Sequence, residues 1–210
     1  MPLDYLLEII IRAEMNAPAS IKAQQMGSFP SKDSSFRSVS RRPPLHLVAM
    51  QGQVQIHTSS YRGSFSIVLS EALRSAGLGS NVLISQFLRG GVNQGPHGSI
   101  NLCGRLEWLR PSIETCVSEK VAKNNLSLNK KLEKKAIQEI WEVTKTRLQE
   151  RKLDKIVLDE IGLAITLGFI EENDLITMIN NRPSSTDIIL TGPSIPPQVI
   201  EMADQITELR

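Results

Sequence analysis

Two carboxylates that close an apolar run, Asp159-Glu160 after Ile156-Val-Leu158, are the residues in this sequence best suited to chemistry. Adjacent acids at the carboxyl end of a strand can ligate a magnesium ion or orient its waters. Earlier in the chain, Val54-Gln-Ile-His57 leads through Thr58-Ser-Ser-Tyr-Arg-Gly-Ser-Phe-Ser66 into a stretch carrying Glu71, Leu73, Arg74 and Ala76. Strand, tight turn and helix start form an arrangement that holds phosphates: backbone N–H groups and a helix N-terminus cradle them. A lysine then reaches the outer phosphates and a hydroxyl ligates magnesium. Here Gly63 is the one glycine of the turn, and Ser64 and Phe65 stand where the lysine and the hydroxyl belong. The candidate nucleotide contacts in this loop are Thr58, Ser59, Ser60, Arg62, Gly63, Ser64 and Ser66. Asp159 is the candidate metal ligand, and Asp159 and Glu160 are the candidate catalytic pair.

Alternating strands and helices would have to position these groups. Short apolar runs predict strands at Leu45–Met50, Val54–His57, Asn81–Leu88, within Ile100–Leu109, at Lys155–Leu158 and at Asp187–Thr191. Helices are predicted over 65–77, closed by Gly77 and Gly79, over 117–152, around Glu171–Asn181, and from about Pro197. In the long helix Leu132, Ile137, Ile140, Trp141, Thr144 and Leu148 track one face, and Lys130, Lys131, Lys134 and Lys135 mark the solvated side. Near-continuous apolar strands joined by crossover helices imply an α/β fold, a mostly parallel sheet with helices on both faces. Ligands of such sheets sit at the carboxyl ends of the strands. Thr58–Ser64, Gln86–Gly91, Asp159-Glu160 and Thr191-Gly192 would then share one crevice.

Ahead of this domain, assigned to residues 45–210, residues 1–44 differ in character. Leu3, Leu6, Leu7, Ile10 and Ile11 suit a short amphipathic helix. A Ser-, Pro- and Arg-rich arm with Arg37, Arg41 and Arg42 follows and ends at Pro43-Pro44. This extension is the candidate surface for a protein partner. The start lacks the basic and small-residue features of a signal peptide, and no apolar run reaches the ~18–20 residues of a membrane span. The 24 basic and 22 acidic residues leave a net charge of +2, which argues against nucleic acid or an anionic membrane as the main partner. Cys103 and Cys116 have no companion ligands at zinc spacing and read as structural thiols of a reducing cytoplasm.

The C-terminal half resembles the P-loop-type ATP:corrinoid adenosyltransferases. It carries Leu158-Asp159-Glu160, Arg182-Pro183, Thr191-Gly192, Ala203-Asp204 and Thr207-Glu208 in that family's order and spacing. Upstream, Gln86-Phe87-Leu88-Arg89-Gly90 is similar to the family's Gln-Phe-Ile-Lys-Gly, and Trp108 falls on the tryptophan of its Phe-Thr-Trp motif. The resemblance covers roughly residues 50–210. It implies a P-loop NTPase-like fold and transfer of the 5′-deoxyadenosyl group of ATP, with Mg2+, to a Co(I) corrinoid such as cob(I)alamin or cob(I)yrinic acid a,c-diamide. It also implies a role in cobalamin biosynthesis, Arg182 beside the nucleotide, Gln86 and Trp108 on the corrinoid side, and a homo-oligomer.

The chain departs from the family where that reaction needs charge. Against Thr-Gly-Asn-Gly-Lys-Gly-Lys-Thr-Thr, it reads Thr58-Ser-Ser-Tyr-Arg-Gly-Ser-Phe-Ser66, so two glycines, the phosphate lysine and the magnesium threonine are replaced. Pro193 stands for the arginine of Thr-Gly-Arg, and Leu106 for the phenylalanine of Phe-Thr-Trp. A charge-assisted phosphate contact contributes about 1.5–3 kcal/mol, so the combined loss should weaken triphosphate binding by orders of magnitude. Three functions follow as expectations. The first is a non-catalytic binding, regulatory or interaction protein on this fold. The second is an active adenosyltransferase with an altered loop. The third is a different nucleotide- or anion-linked role anchored on Arg62 and the basic arm.

Overall fold

The computed structural model describes residues 51–63, 65–117, 127–150 and 152–209. The expected amphipathic helix, the basic arm, the strand Leu45–Met50, Ser64 and the start of the long helix at 117–152 beyond Val117 lie outside the described residues.

Seven strands form one sheet: β1 (Val54–Ser59), β2 (Val82–Gln86), β3 (Ile100–Leu102), β4 (Leu106–Leu109), β5 (Lys155–Asp159), β6 (Asp187–Thr191) and β7 (Gln205–Leu209). Their order is β3-β4-β2-β5-β6-β1-β7. All pairs are parallel except β3 with β4, which form an antiparallel hairpin. The predicted strand region 100–109 is therefore two strands, turned at Cys103-Gly104, both with positive φ. The strand β7 was not anticipated. Its residues are nearly all exposed, so the apolar run that signals a buried strand is missing.

The helices are α1 (Ser66–Gly77), α2 (Ser127–Gln149), α3 (Ile161–Thr166), α4 (Glu172–Asn180) and α5 (Pro197–Glu201). Strand alternation sorts the core into two layers. Ile56, Leu83, Ile156, Leu158, Ile188 and Leu190 point to the face covered by α2 to α5, where Ile137, Ile140, Trp141, Leu148, Leu163, Leu175 and Val199 meet them. Val82, Ile84, Leu106, Val157 and Ile189 point to the other face, against Phe65, Val68, Ala72 and Ala76 of the α1 segment. Two alanines on the buried stripe let α1 approach the sheet closely. The stripe of α2 is as expected from Ile137 to Leu148, but Leu132 is 63% exposed and lies outside the core. Thr144, fully buried on that stripe, is satisfied by Ser85 Oγ at 2.7 Å and by donating to the Ile140 carbonyl at 2.7 Å. Across the same interface Trp141 Nε1 and Lys145 Nζ both donate to Asp174 Oδ2, at 2.6 and 2.8 Å, tying α2 to α4. Among the described residues no helix is long and apolar enough to cross a membrane.

Candidate functional site

Strand pleating aims one side chain from each of four strands at the same place. Gln86, Asp159 and Thr191 end β2, β5 and β6 on the α1 side of the sheet, and Gln86 is the register partner of Asp159. His57 of β1 is the partner of Thr191. Side chains with this parity at the carboxyl ends form a row across the sheet, and Gln86, Asp159 and Thr191 bond to one another in turn. Asp159, 1% exposed, accepts from Thr191 Oγ1 at 2.6 Å on one oxygen and from Gln86 Nε2 at 2.6 Å on the other. The Gln86 amide cannot turn, because its Oε1 accepts from Arg110 Nε at 2.7 Å and from Trp108 Nε1 at 3.0 Å. The Arg110 guanidinium also lies 5.2 Å from the Trp108 ring centroid, a cation–π contact at the rim. Burial pushes the Asp159 carboxyl above its usual range, against the two hydrogen bonds that favour its charged form.

Glu160 leaves the strand in a left-handed conformation, φ 58° and ψ 30°, so its side chain turns away from the row. Thr191 Oγ1 also accepts from the Glu160 backbone N–H at 3.1 Å. The turn has no room behind it. A Cβ on Gly192, whose φ is +112°, would come within 2.9 Å of Glu160 Cα. Glycine is needed there on both counts.

The Glu160 carboxylate, fully buried, is met by Arg62. Arg62 Nε donates to Oε1 at 2.7 Å and Nη2 to Oε2 at 2.8 Å, a bidentate fork. The same guanidinium donates to the carbonyls of Val117 and, at 3.4 Å, of Leu88. Hydrogen bonding to Glu160 raises the Arg62 pKa further. One side chain from the loop after β1 thus joins the ends of β2 and β5 and the segment reaching Val117.

The loop folds on itself, with the Tyr61 side chain 59% exposed. Thr58 and Ser59 are the last residues of β1, paired with Glu208 and Leu209, so the turn starts later than the sequence suggests. Ser59 Oγ donates to the Tyr61 carbonyl at 2.5 Å. The Tyr61 ring lies 3.6 Å from where a Cβ of Gly63 would stand. Phe65 is 3% exposed in the α1 core, while its carbonyl accepts from the N–H groups of Val68 and Leu69. Burying such a ring contributes about 1.5–3 kcal/mol, so the residue that opens α1 acts as a core anchor. Ser60 and Ser66 are exposed at the two ends of the turn.

Of the residues singled out from sequence, Arg62, Gln86, Trp108, Asp159 and Glu160 come together in the crevice. Arg182 does not. It precedes β6, at the amino ends of the strands, and donates to the carbonyls of Ile179 at 3.1 Å and Gly52 at 3.4 Å. Asp204 stands at that end as well, accepting from the Val54 N–H at 2.7 Å. Thr191, expected at the crevice from its strand end, supplies its hydroxyl to Asp159; Arg110 was missed as a site residue. Arg110 shares the strand parity of Trp108, and that spacing was the available signal.

The described residues contain no group of three or more His, Cys, Asp or Glu side chains that could hold a metal ion. A magnesium ion, which needs free carboxylate or hydroxyl oxygens, does not fit the groups present. Glu160 is taken by Arg62, each Asp159 oxygen already accepts a hydrogen bond from protein, and the ring of Phe65 is in the core.

Comparison with known proteins agrees with the motif order. Residues 50–210 match the family model described as ATP:corrinoid adenosyltransferase BtuR/CobO/CobP. A corrinoid adenosyltransferase of Escherichia coli K12 is 26% identical over 160 residues, covering 76% of this chain and 77% of the relative. The corrinoid adenosyltransferase CobA of Salmonella typhimurium is also 26% identical, with the same coverage. One from Pseudomonas aeruginosa is 25% identical over 169 residues, covering 76% and 75%. With its seven-stranded, mostly parallel sheet, the acids at the end of β5 and a family match running from before β1 to the last residue, the chain belongs to the ATP:corrinoid adenosyltransferase family.

Proposed function

We propose that this family member does not transfer adenosyl from ATP and serves instead as a non-catalytic binding or regulatory protein built on the family's fold. The observation that carries this is the commitment of both crevice carboxylates to protein groups: Glu160 to Arg62 at 2.7 and 2.8 Å, and Asp159 to Thr191 and Gln86 at 2.6 Å each. Adenosyl transfer from ATP releases triphosphate, whose departing charge must be neutralised by cations held in place beforehand. In this loop Arg62 is already neutralised by Glu160, and Phe65 would have to leave the core to free its position. Pro193 adds no charge.

The rim is better suited to binding. Trp108 is half-buried and backed by Arg110, so it can present an aromatic edge to a flat ligand without rearrangement. A corrinoid, the substrate named for the relatives, or a nucleotide is the proposed occupant, with Gln86 and Trp108 on the corrinoid side. A cytoplasmic location is also proposed, a reading supported by the two free, exposed thiols Cys103 and Cys116. The protein is proposed to act as a homo-oligomer, and residues 1–44 are proposed to engage a protein partner.

The deciding experiment is anaerobic incubation of the full chain with cob(I)alamin and Mg-ATP, following Co–C bond formation by absorbance. No product above the protein-free control is expected. Turnover at the rate of the Escherichia coli relative would instead establish an active transferase. Thermal shift with cob(II)alamin and with ATP separates a corrinoid-binding from a nucleotide-binding protein.

A further inference from the structure

The family's use of ATP implies a divalent cation beside the acids at the end of β5, and the crevice has a different cation there. Four oxygens surround the Arg62 guanidinium and accept from its three nitrogens: Oε1 and Oε2 of Glu160 from Nε and Nη2, the Leu88 carbonyl from Nη2 and the Val117 carbonyl from Nη1. Carboxylate and carbonyl oxygens are the donor types that hard cations take. The planar guanidinium satisfies them through directed N–H bonds, one of them bidentate. A dication brought to the same oxygens would stand against a fixed positive charge. The alternative ligands are withdrawn as well: both Asp159 oxygens are used by Thr191 and Gln86, and Phe65 offers no hydroxyl.

We infer that Arg62 is the resident cation at the Glu160 carboxylate, standing where the family's ATP chemistry would put a divalent metal, so that the site excludes Mg2+ and takes its ligand without metal. The ligand class is then a neutral or metal-free anionic molecule rather than a magnesium nucleotide. This deepens the proposed function and rests on its premise that the inherited metal chemistry is gone, yet the two can fail separately.

The test uses Mn2+ alone as the probe, with the full chain in chelator-treated buffer. Free Mn2+ is followed by electron paramagnetic resonance. Wild-type protein is expected to leave the signal of free Mn2+ unchanged at millimolar concentration, and its melting temperature is expected to be the same in EDTA and in Mn2+. Arg62→Ala exposes the four oxygens. It should remove about one Mn2+ per chain from the free signal and melt at a higher temperature with Mn2+ than with EDTA. Arg62→Lys keeps a cation in place and should leave Mn2+ free. Mn2+ uptake by the wild type overturns the inference, and so does a folded Arg62→Ala that leaves Mn2+ free. If Arg62→Ala does not fold, Arg62→Gln takes its place under the same criteria. A wild type that excludes Mn2+ yet adenosylates cob(I)alamin removes the proposed function and leaves this inference standing. A wild type that binds Mn2+ without turnover does the reverse.

Discussion

Removing the Arg62 guanidinium should cost this fold far more than an average surface change. Arg62→Ala leaves the fully buried Glu160 carboxylate without its bidentate partner and frees the carbonyls of Leu88 and Val117. Breaking a buried ion pair from one side costs about 3–5 kcal/mol, because the remaining charge is stranded. The Arg62 side chain keeps 28% exposure, so water reaches the vacated space and the lower end, about 3 kcal/mol, is expected. For a domain of this size that corresponds to a fall in Tm of roughly 6–12 °C. Glu160→Gln keeps the shape and removes the charge. It should cost less, about 1.5–3 kcal/mol, since the partly exposed guanidinium can be hydrated. In the double variant neither charge is stranded, so the cycle should be strongly non-additive, with a coupling of about 1.5 kcal/mol or more. Urea unfolding of all four proteins, with a common m-value, measures it. Arg62→Ala within about 0.5 kcal/mol of wild type, or an additive cycle, would refute the view that this pair holds the crevice together.

Three further outcomes can be checked on the same preparations. The folded Asp159 carboxyl has a raised pKa, so it binds its proton more tightly folded than unfolded. Its contribution is fully present below the ordinary carboxylate pKa and is lost as pH rises through the raised value. Asp159→Asn should therefore flatten the stability–pH curve above the ordinary aspartate range, and an unchanged slope would count against it. Asp174→Ala removes the acceptor shared by Trp141 and Lys145 and should cost about 1–3 kcal/mol, whereas Asp174→Asn, which can still accept from the indole, should cost less in urea unfolding. Gly192→Ala combines a φ of +112° with a contact of 2.9 Å to Glu160 Cα and should lose about 1–3 kcal/mol or more; equal stability would show that the Glu160 turn can give.

Much of the fold was legible because its central strands are simple. Val82-Leu-Ile-Ser-Gln86 and Ile156-Val-Leu158 are buried on both faces, so continuous apolar runs announce them without tertiary information. The edge strand β7 and the short helix α3 were not readable. Gln205–Leu209 buries little, and Ile161–Thr166 is too brief for a helical period.

The candidate site divides along the same physical line. By itself the sequence determined the family, the acids that end β5 and the loss of lysine and threonine from the loop after β1, because residue identity and order along the chain carry these. Only the tertiary structure decided what the remaining charges do. The pairing of Arg62 with Glu160 joins residues far apart in sequence, and Gln86 is oriented toward Asp159 by Trp108 and Arg110. Arg182 shares the family's motif order yet lies at the amino ends of the strands, since a parallel sheet separates consecutive segments to opposite ends. Types and spacing name the candidates, but distance and burial depend on the crossovers between strands.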